Sequence, residues 1–123
     1  MKWPPKWLAS LVFLMGCFKT GEEESSSQCV QEVRSRTISW DSDIQGLVQQ
    51  HCQNCHGSTP QPPATQNLTN KNTLVLYYSD AHDVNGPGLL IRLTTNNQRM
   101  PPDGALSPCD VEKFKKWQED GFP

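Results

Sequence analysis

The sequence lacks a long apolar run, an excess of basic residues and any stretch that alternates as a β-strand. Only 35% of its 123 residues are apolar, and the mean hydropathy is -0.63. A chain of this size forms one domain with a modest core, so we expect a metal, a disulfide or a cofactor to help hold it together. Because neither strand alternation nor an internal repeat is present, the fold class predicted is all-α, with helices joined by long irregular loops.

The charge balance is slightly acidic, with a formal net charge of -2. Nucleic-acid binding calls for a basic face, which this composition does not supply. We therefore expect no nucleic-acid partner.

The beginning of the chain has the pattern of an export signal. Two lysines precede the apolar run 8–15, which is too short to span a bilayer and has the length of a signal-peptide core. The run has no polar face, which disfavours the alternative of an amphipathic core helix. It ends in "LMGC", which resembles the lipobox of bacterial lipoproteins. We therefore expect residues 1–16 to be a lipoprotein signal peptide and Cys17 to carry the lipid, facing the periplasm or the cell exterior.

The segment after Cys17 is polar, acidic and rich in serine, "FKTGEEESSSQ". Such a composition cannot bury enough apolar surface to become ordered. We expect residues 17–38 to be a lipidated flexible tether and residues 39–123 to be the folded domain. No second long apolar run follows, so no transmembrane helix is expected.

A helix is predicted from Ser39 to the sequence "CQNCH" at residues 52–56. Ser39 or Asp41 can cap it, and Gly57 ends it. Its apolar members recur at steps of three and four residues along one face: Ile44, Leu47, Val48, Cys52 and Cys55.

Three further helices are predicted downstream. Residues 69–78 and a short stretch from Pro87 to Leu93 have helical periodicity. The last helix has the clearest start signal, with Ser107 as N-cap, Pro108 in the first position and Asp110 completing a variant of the capping box. Its inward-facing residues are predicted to be Val111, Phe114 and Trp117, and Gly121 is predicted to end it.

The "CQNCH" sequence has three possible functions. A structural zinc site needs four ligands, and the remaining candidates form no second closely spaced pair: Cys29, Cys109, His51, His56 and His82. A thioredoxin-like dithiol should open a helix, whereas this pair ends one. Thioether attachment of haem c uses both thiols about one helical turn apart and the following histidine as iron ligand. We therefore expect haem c on Cys52 and Cys55, with His56 as proximal ligand.

The sixth iron ligand is expected to be Met100. It offers a soft, neutral sulfur in the loop "QRMPPDG", where two prolines prevent helix and sheet. The alternatives are that Met100 is an ordinary core methionine, or that His82 is the ligand. His51 is poorly placed, because it adjoins the attachment cysteine.

The order of these motifs resembles the small single-haem cytochrome c domain family, especially its bacterial lipoprotein members. The resemblance is carried by "CQNCH", "GPGLLIRL" and "RMPPDGALSPCDVEKFKKWQEDGFP" and covers residues 40–123. It implies an all-α fold in which the first and last helices cross around one haem whose edge is exposed. Asp103-Gly104 stands where paired glycines are frequent in the family, and the loop after His56 is short. Arg92 and Arg99 are possible partners of the haem propionates.

Cys29 and Cys109 remain after the lipid and the haem are assigned. In an oxidising compartment such a pair readily forms a disulfide, here between the end of the tether and the start of the last helix. Two unrelated thiols are the alternative.

The predicted function is that of an electron-transfer protein rather than an enzyme. It would shuttle single electrons between redox partner proteins in a respiratory or dehydrogenase chain of the bacterial cell envelope. Lys113, Lys115 and Lys116 could face an acidic partner or form a solvated surface. If Met100 is not a ligand, a five-coordinate haem c sensor or peroxidase-like protein is the alternative, with Asn96, Asn97, Gln98 and Arg99 as the polar residues over the open face. A metal-binding lipoprotein without haem is a further alternative.

Overall fold

The computed structural model describes residues 21–64, 66–78, 88–94 and 99–123. Over these ranges the chain is mostly helical and contains no strand, in agreement with the predicted all-α class. None of the helices in these ranges has the length and apolarity needed to cross a bilayer. The elements are α1 (Gly21–Arg34), a π-helical turn (Trp40–Ile44), α2 (Gln45–His51), α3 (Gln53–His56), α4 (Lys71–Leu76), α5 (Leu89–Thr94) and α6 (Pro108–Glu119).

Helix α1 corrects the expected boundary between tether and domain. A flexible tether was expected over residues 17–38, but Gly21–Arg34 is helical, and Val33 and Ile38 are only 2% and 0% exposed. Helix α1 is held in place by α6, which is distant in the sequence, because a disulfide joins Cys29 of α1 to Cys109 of α6. The folded domain therefore begins well before Ser39. The predicted signal peptide, Cys17 and residues 18–20 lie outside the described residues.

An ion pair accompanies the disulfide between α1 and α6. The Arg34 guanidinium pairs with the carboxylate of Glu112, whose side chain is only 9% exposed, and it also lies 4.0 Å from Glu119. Lys115 adds a second positive group 3.9 Å from Glu112. A buried carboxylate needs such compensation because burial disfavours its charge.

The long helix predicted between Ser39 and Gly57 is divided into three parts. Ser39 accepts a hydrogen bond from the Ser42 amide at its N-terminus, as predicted, but Ile44 N then bonds Ser39 O and opens the first turn to π geometry. The Asp43 carboxylate accepts from Ser39 N at 3.0 Å and pairs with Arg36. These contacts attach the start of the helix to the segment that follows α1.

Helix α6 begins and ends where its sequence predicts. Ser107 Oγ accepts from Asp110 N at 3.1 Å and donates to the Asp110 carboxylate at 2.7 Å. Gly121 ends the helix with a φ of 82°, a left-handed conformation that favours glycine. Phe114 and Trp117 are buried, whereas Val111 is half-buried.

The core is centred on Trp117, which is 0% exposed. Its ring contacts those of Trp40, Tyr78 and Phe122 at centroid distances of 5.8, 5.7 and 5.0 Å. Trp117 Nε1 and Trp40 N both donate to the carbonyl oxygen of Pro123, each at 3.0 Å. The C-terminal residues are thereby bound to the turn that opens the cysteine-bearing segment.

Candidate haem-attachment site

The two cysteines of "CQNCH" lie on a single turn. Cys52 separates α2 from α3 with a φ of -117°, while its amide still donates to Val48 O at 2.9 Å. Its carbonyl oxygen accepts from both Cys55 N, at 3.2 Å, and His56 N, at 2.8 Å. The backbone of Cys52 and Cys55 therefore lies on one turn, although the helix is interrupted at the first cysteine.

The two thiols are free but have different surroundings. Cys52 is half-buried against the core, and burial raises the pKa of its thiol to about 11. Burial likewise raises the pKa of Tyr78, with a smaller contribution from the nearby Cys52. Cys55 is exposed. The pair therefore has one sulfur toward the interior and one toward solvent.

The His56 ring is held in one orientation by a backbone group. Its Nδ1 lies 2.9 Å from the carbonyl oxygen of Gln66. Because a carbonyl oxygen only accepts hydrogen bonds, Nδ1 must carry the hydrogen, and the lone pair is left on Nε2. This is the arrangement typical of histidines that bind a metal, whose second nitrogen donates to a carbonyl or a carboxylate.

The loop after His56 is bound back onto the cysteine turn. Gln61 N donates to Cys55 O and Leu68 N donates to His56 O, both at 2.9 Å. Gly57 permits the close approach at the start of this loop, because a Cβ there would lie 2.9 Å from Gln53 O. Leu68, at the end of the loop, is buried in the core. The Gln66 carbonyl is therefore part of a segment attached at both ends.

Met100 is held through its backbone by α5. Its amide donates to the carbonyl oxygen of Arg92 at 2.9 Å, and its side chain is half-buried, as are those of Arg92 and Arg99. The buried residues Leu89 and Leu93 attach the same helix to the core. Iron ligation by the Met100 sulfur remains a prediction, as do the propionate contacts of the two arginines.

The remaining candidate residues are dispersed. Cys29 and Cys109 form a disulfide with their Cα atoms 5.8 Å apart, and His51 is half-buried at the end of α2. Across the part of the chain that is described, no three His, Cys, Asp or Glu side chains are grouped as a metal site, so the zinc alternative finds no ligand cluster there. His82, Asn96, Asn97 and Gln98 lie outside the described residues.

Gln66 is the site residue that the sequence did not indicate. It acts through its backbone carbonyl, which every residue possesses, so no residue type marks the position. Only the path of the loop brings that carbonyl to His56.

No protein-family model matches this chain, and comparison with curated proteins and with solved structures gave no match either. The residues of the site and their geometry are therefore what bears on the function of this chain.

Proposed function

We propose that this chain is a one-electron carrier with haem c bound covalently through Cys52 and Cys55. His56 and Met100 would be the axial iron ligands, and a lipid on Cys17 would hold the protein at the bacterial cell envelope. The observation that supports this proposal best is the hydrogen bond between His56 Nδ1 and Gln66 O, at 2.9 Å. It directs the lone pair of Nε2 away from the loop and makes it available to a metal.

The donor set fits haem c. Two free thiols one turn apart match the spacing of the vinyl groups, and the next residue is a histidine with an available Nε2. A bound haem c supplies an iron that accepts and releases one electron. No further protein ligand is needed for attachment, so the absence of a three-residue metal cluster among the described residues does not conflict with it.

The described core would exclude water from the site. Leu74, Leu93 and Trp117 are buried, and Leu90 is half-buried. A dry, apolar surrounding disfavours the more highly charged oxidised iron and so raises the reduction potential. With His56 and Met100 both bound, no position would remain open for a substrate, so we expect no catalysis.

The lysines of α6, for which the sequence left a docking face and a solvated surface open, each lie close to an acidic side chain. Lys113 pairs with Asp110 at 3.0 Å, Lys115 lies 3.9 Å from Glu112, and Lys116 pairs with Asp120. Each positive charge thus has an acidic partner on the same helix or directly after it. We propose redox proteins of the envelope as partners, without assigning their docking to these lysines.

The optical spectrum of the full chain, produced in a host that matures haem c, tests the proposal. We expect covalent haem after denaturation and a low-spin spectrum whose weak sulfur-to-iron band is lost in Met100→Ala. His56→Ala should likewise lose the low-spin spectrum. His51→Ala is its matched control and should keep that spectrum, since His51 is the neighbouring histidine that should not bind iron. Absence of covalent haem would refute the proposal. A high-spin spectrum that shifts with carbon monoxide would favour the five-coordinate alternative.

A further inference from the structure

The Gln66 carbonyl belongs to a turn that the next residues close. Asn67 Oδ1 accepts two hydrogen bonds from Thr69, one from its amide at 2.9 Å and one from its hydroxyl at 2.6 Å. Both residues are half-buried. We propose that Asn67 and Thr69 are positioning residues for His56, which hold the Gln66 carbonyl on Nδ1 and thereby select the tautomer with its lone pair on Nε2.

Backbone groups of the residues on both sides of Asn67 form hydrogen bonds with His56. Gln66 O accepts from the ring, and Leu68 N donates to the His56 carbonyl at 2.9 Å. The relative direction of these two backbone groups depends on the φ and ψ angles of Asn67, the residue between them. The two hydrogen bonds that Thr69 donates to Asn67 Oδ1 span Leu68 and restrict the ψ angle of Asn67, as such side-chain turns do.

The turn is attached to rigid parts of the molecule. Leu68 is buried in the core, and Asn70 caps α4 by accepting from Thr73 N at 3.0 Å. The carbonyl that faces His56 is therefore supported by the bond of Leu68 N to the cysteine turn and by the burial of the Leu68 side chain, whereas the Asn70 cap is a separate contact. Loss of the Asn67 acceptor would leave two donors of Thr69 without this partner and allow the turn to relax.

The expected consequence is a change in His56 rather than in the fold alone. If the Gln66 carbonyl moves away, the imidazole loses the acceptor that keeps its hydrogen on Nδ1, and the tautomer with hydrogen on Nε2 becomes more populated. That tautomer cannot donate its Nε2 lone pair to a metal. With haem bound, a weaker Nδ1 bond makes the ligand less basic and shifts the reduction potential to a more positive value. This second consequence rests on the proposed function, but the first does not.

Nitrogen-15 NMR of the histidine rings in the haem-free full chain tests the first consequence. For Asn67→Ala we expect the ratio of the Nδ1–H to the Nε2–H tautomer of His56 to fall about two- to tenfold, the range for loss of one hydrogen bond. Asn67→Asp keeps an oxygen acceptor and should retain the wild-type ratio. Asn70→Ala is the matched control, because it removes the neighbouring cap without a contact to His56, and it should leave the ratio unchanged.

Thr69→Val is a milder variant, since it removes the hydrogen bond from the Thr69 hydroxyl to Asn67 and keeps the one from the backbone amide. If Asn67→Ala does not fold, a fall in the tautomer ratio in Thr69→Val supports the proposal. An unchanged ratio in the variants that fold, or an equal change in Asn70→Ala, overturns it. In the mature protein, a positive shift of the potential in Asn67→Ala but not in Asn70→Ala is expected. If the tautomer responds but no haem is attached in the maturing host, the positioning role stands and the electron-carrier proposal fails.

Discussion

Removal of the Cys29–Cys109 disulfide should cost the domain a large share of its stability. The two cysteines are 80 residues apart in the sequence. For a loop of that length, the chain-entropy treatment of the unfolded state gives a contribution of about 4.5 kcal/mol. Small domains have a total stability of about 5–15 kcal/mol, so we expect the variant Cys29→Ser/Cys109→Ser to be marginally folded.

The disulfide should contribute more to the free energy of unfolding than the other contacts of α1. Burial of Val33 is worth about 1.5–3 kcal/mol, and the Arg34 side chain that pairs with Glu112 is 54% exposed, which reduces the value of that ion pair. Most of α1 between residues 25 and 34 is exposed or half-buried. An isolated helix of this length is only marginally stable in water, so α1 should be the first element to lose protection from hydrogen exchange.

Urea unfolding followed by tryptophan fluorescence would measure the effect, because Trp40 and Trp117 lie in the core. The oxidised wild type should unfold at a higher urea concentration than the reduced protein and the double-serine variant. Added reductant should not alter the midpoint of the double-serine variant, which controls for effects on Cys52 and Cys55. A difference below about 1 kcal/mol would refute the reasoning, since it would mean that the disulfide does not restrict the unfolded chain as its loop length requires.

Three further results are expected. In haem-free protein, Cys52 should alkylate with a rate that rises about tenfold per pH unit until its pKa of about 11. If mass spectrometry of labelled peptides shows that the rate already levels off near the ordinary thiol pKa of 9.0, burial does not control it. Trp117→Ala should lose about 3–5 kcal/mol of the free energy of unfolding. Trp117→Phe, which keeps an aromatic ring but lacks the donor to Pro123 O, should lose about 1 kcal/mol. Equal losses by urea unfolding would contradict a separate contribution from ring packing. The hydrogen bond with Arg36 holds the pKa of Asp43 below its ordinary value of 3.8. The contribution of this carboxylate to the free energy of unfolding should therefore be complete above pH 3.8 and be lost as the pH falls through the lowered pKa. Acid unfolding of Asp43→Asn should lack this pH-dependent loss.

Elements controlled by neighbouring residues were predictable from the sequence. The start of α6 follows from Ser107, Pro108 and Asp110, whose contacts span three residues. The spacing of Cys52, Cys55 and His56 is likewise local, and it indicated a haem-attachment site before any fold was considered.

The order of α1 and the interruption of the helix at Cys52 were not predictable in the same way. The composition of residues 18–28 indicates a flexible tether, whereas the disulfide, the ion pair with α6 and the burial of Val33 order the helix Gly21–Arg34. These partners lie in the last quarter of the chain. Their effect cannot be read from a local pattern of polar and apolar residues.

The sequence alone therefore determined the all-α class, the capped last helix, and the thiols and imidazole of the candidate site. Tertiary structure decided which residues belong to the folded domain, how α1 is held on α6, and which nitrogen of His56 has the available lone pair. The physical reason is the range of the interactions. Caps and helical spacing act over three or four residues, whereas the Gln66 carbonyl and the Cys29–Cys109 bond depend on where the folded chain brings distant groups.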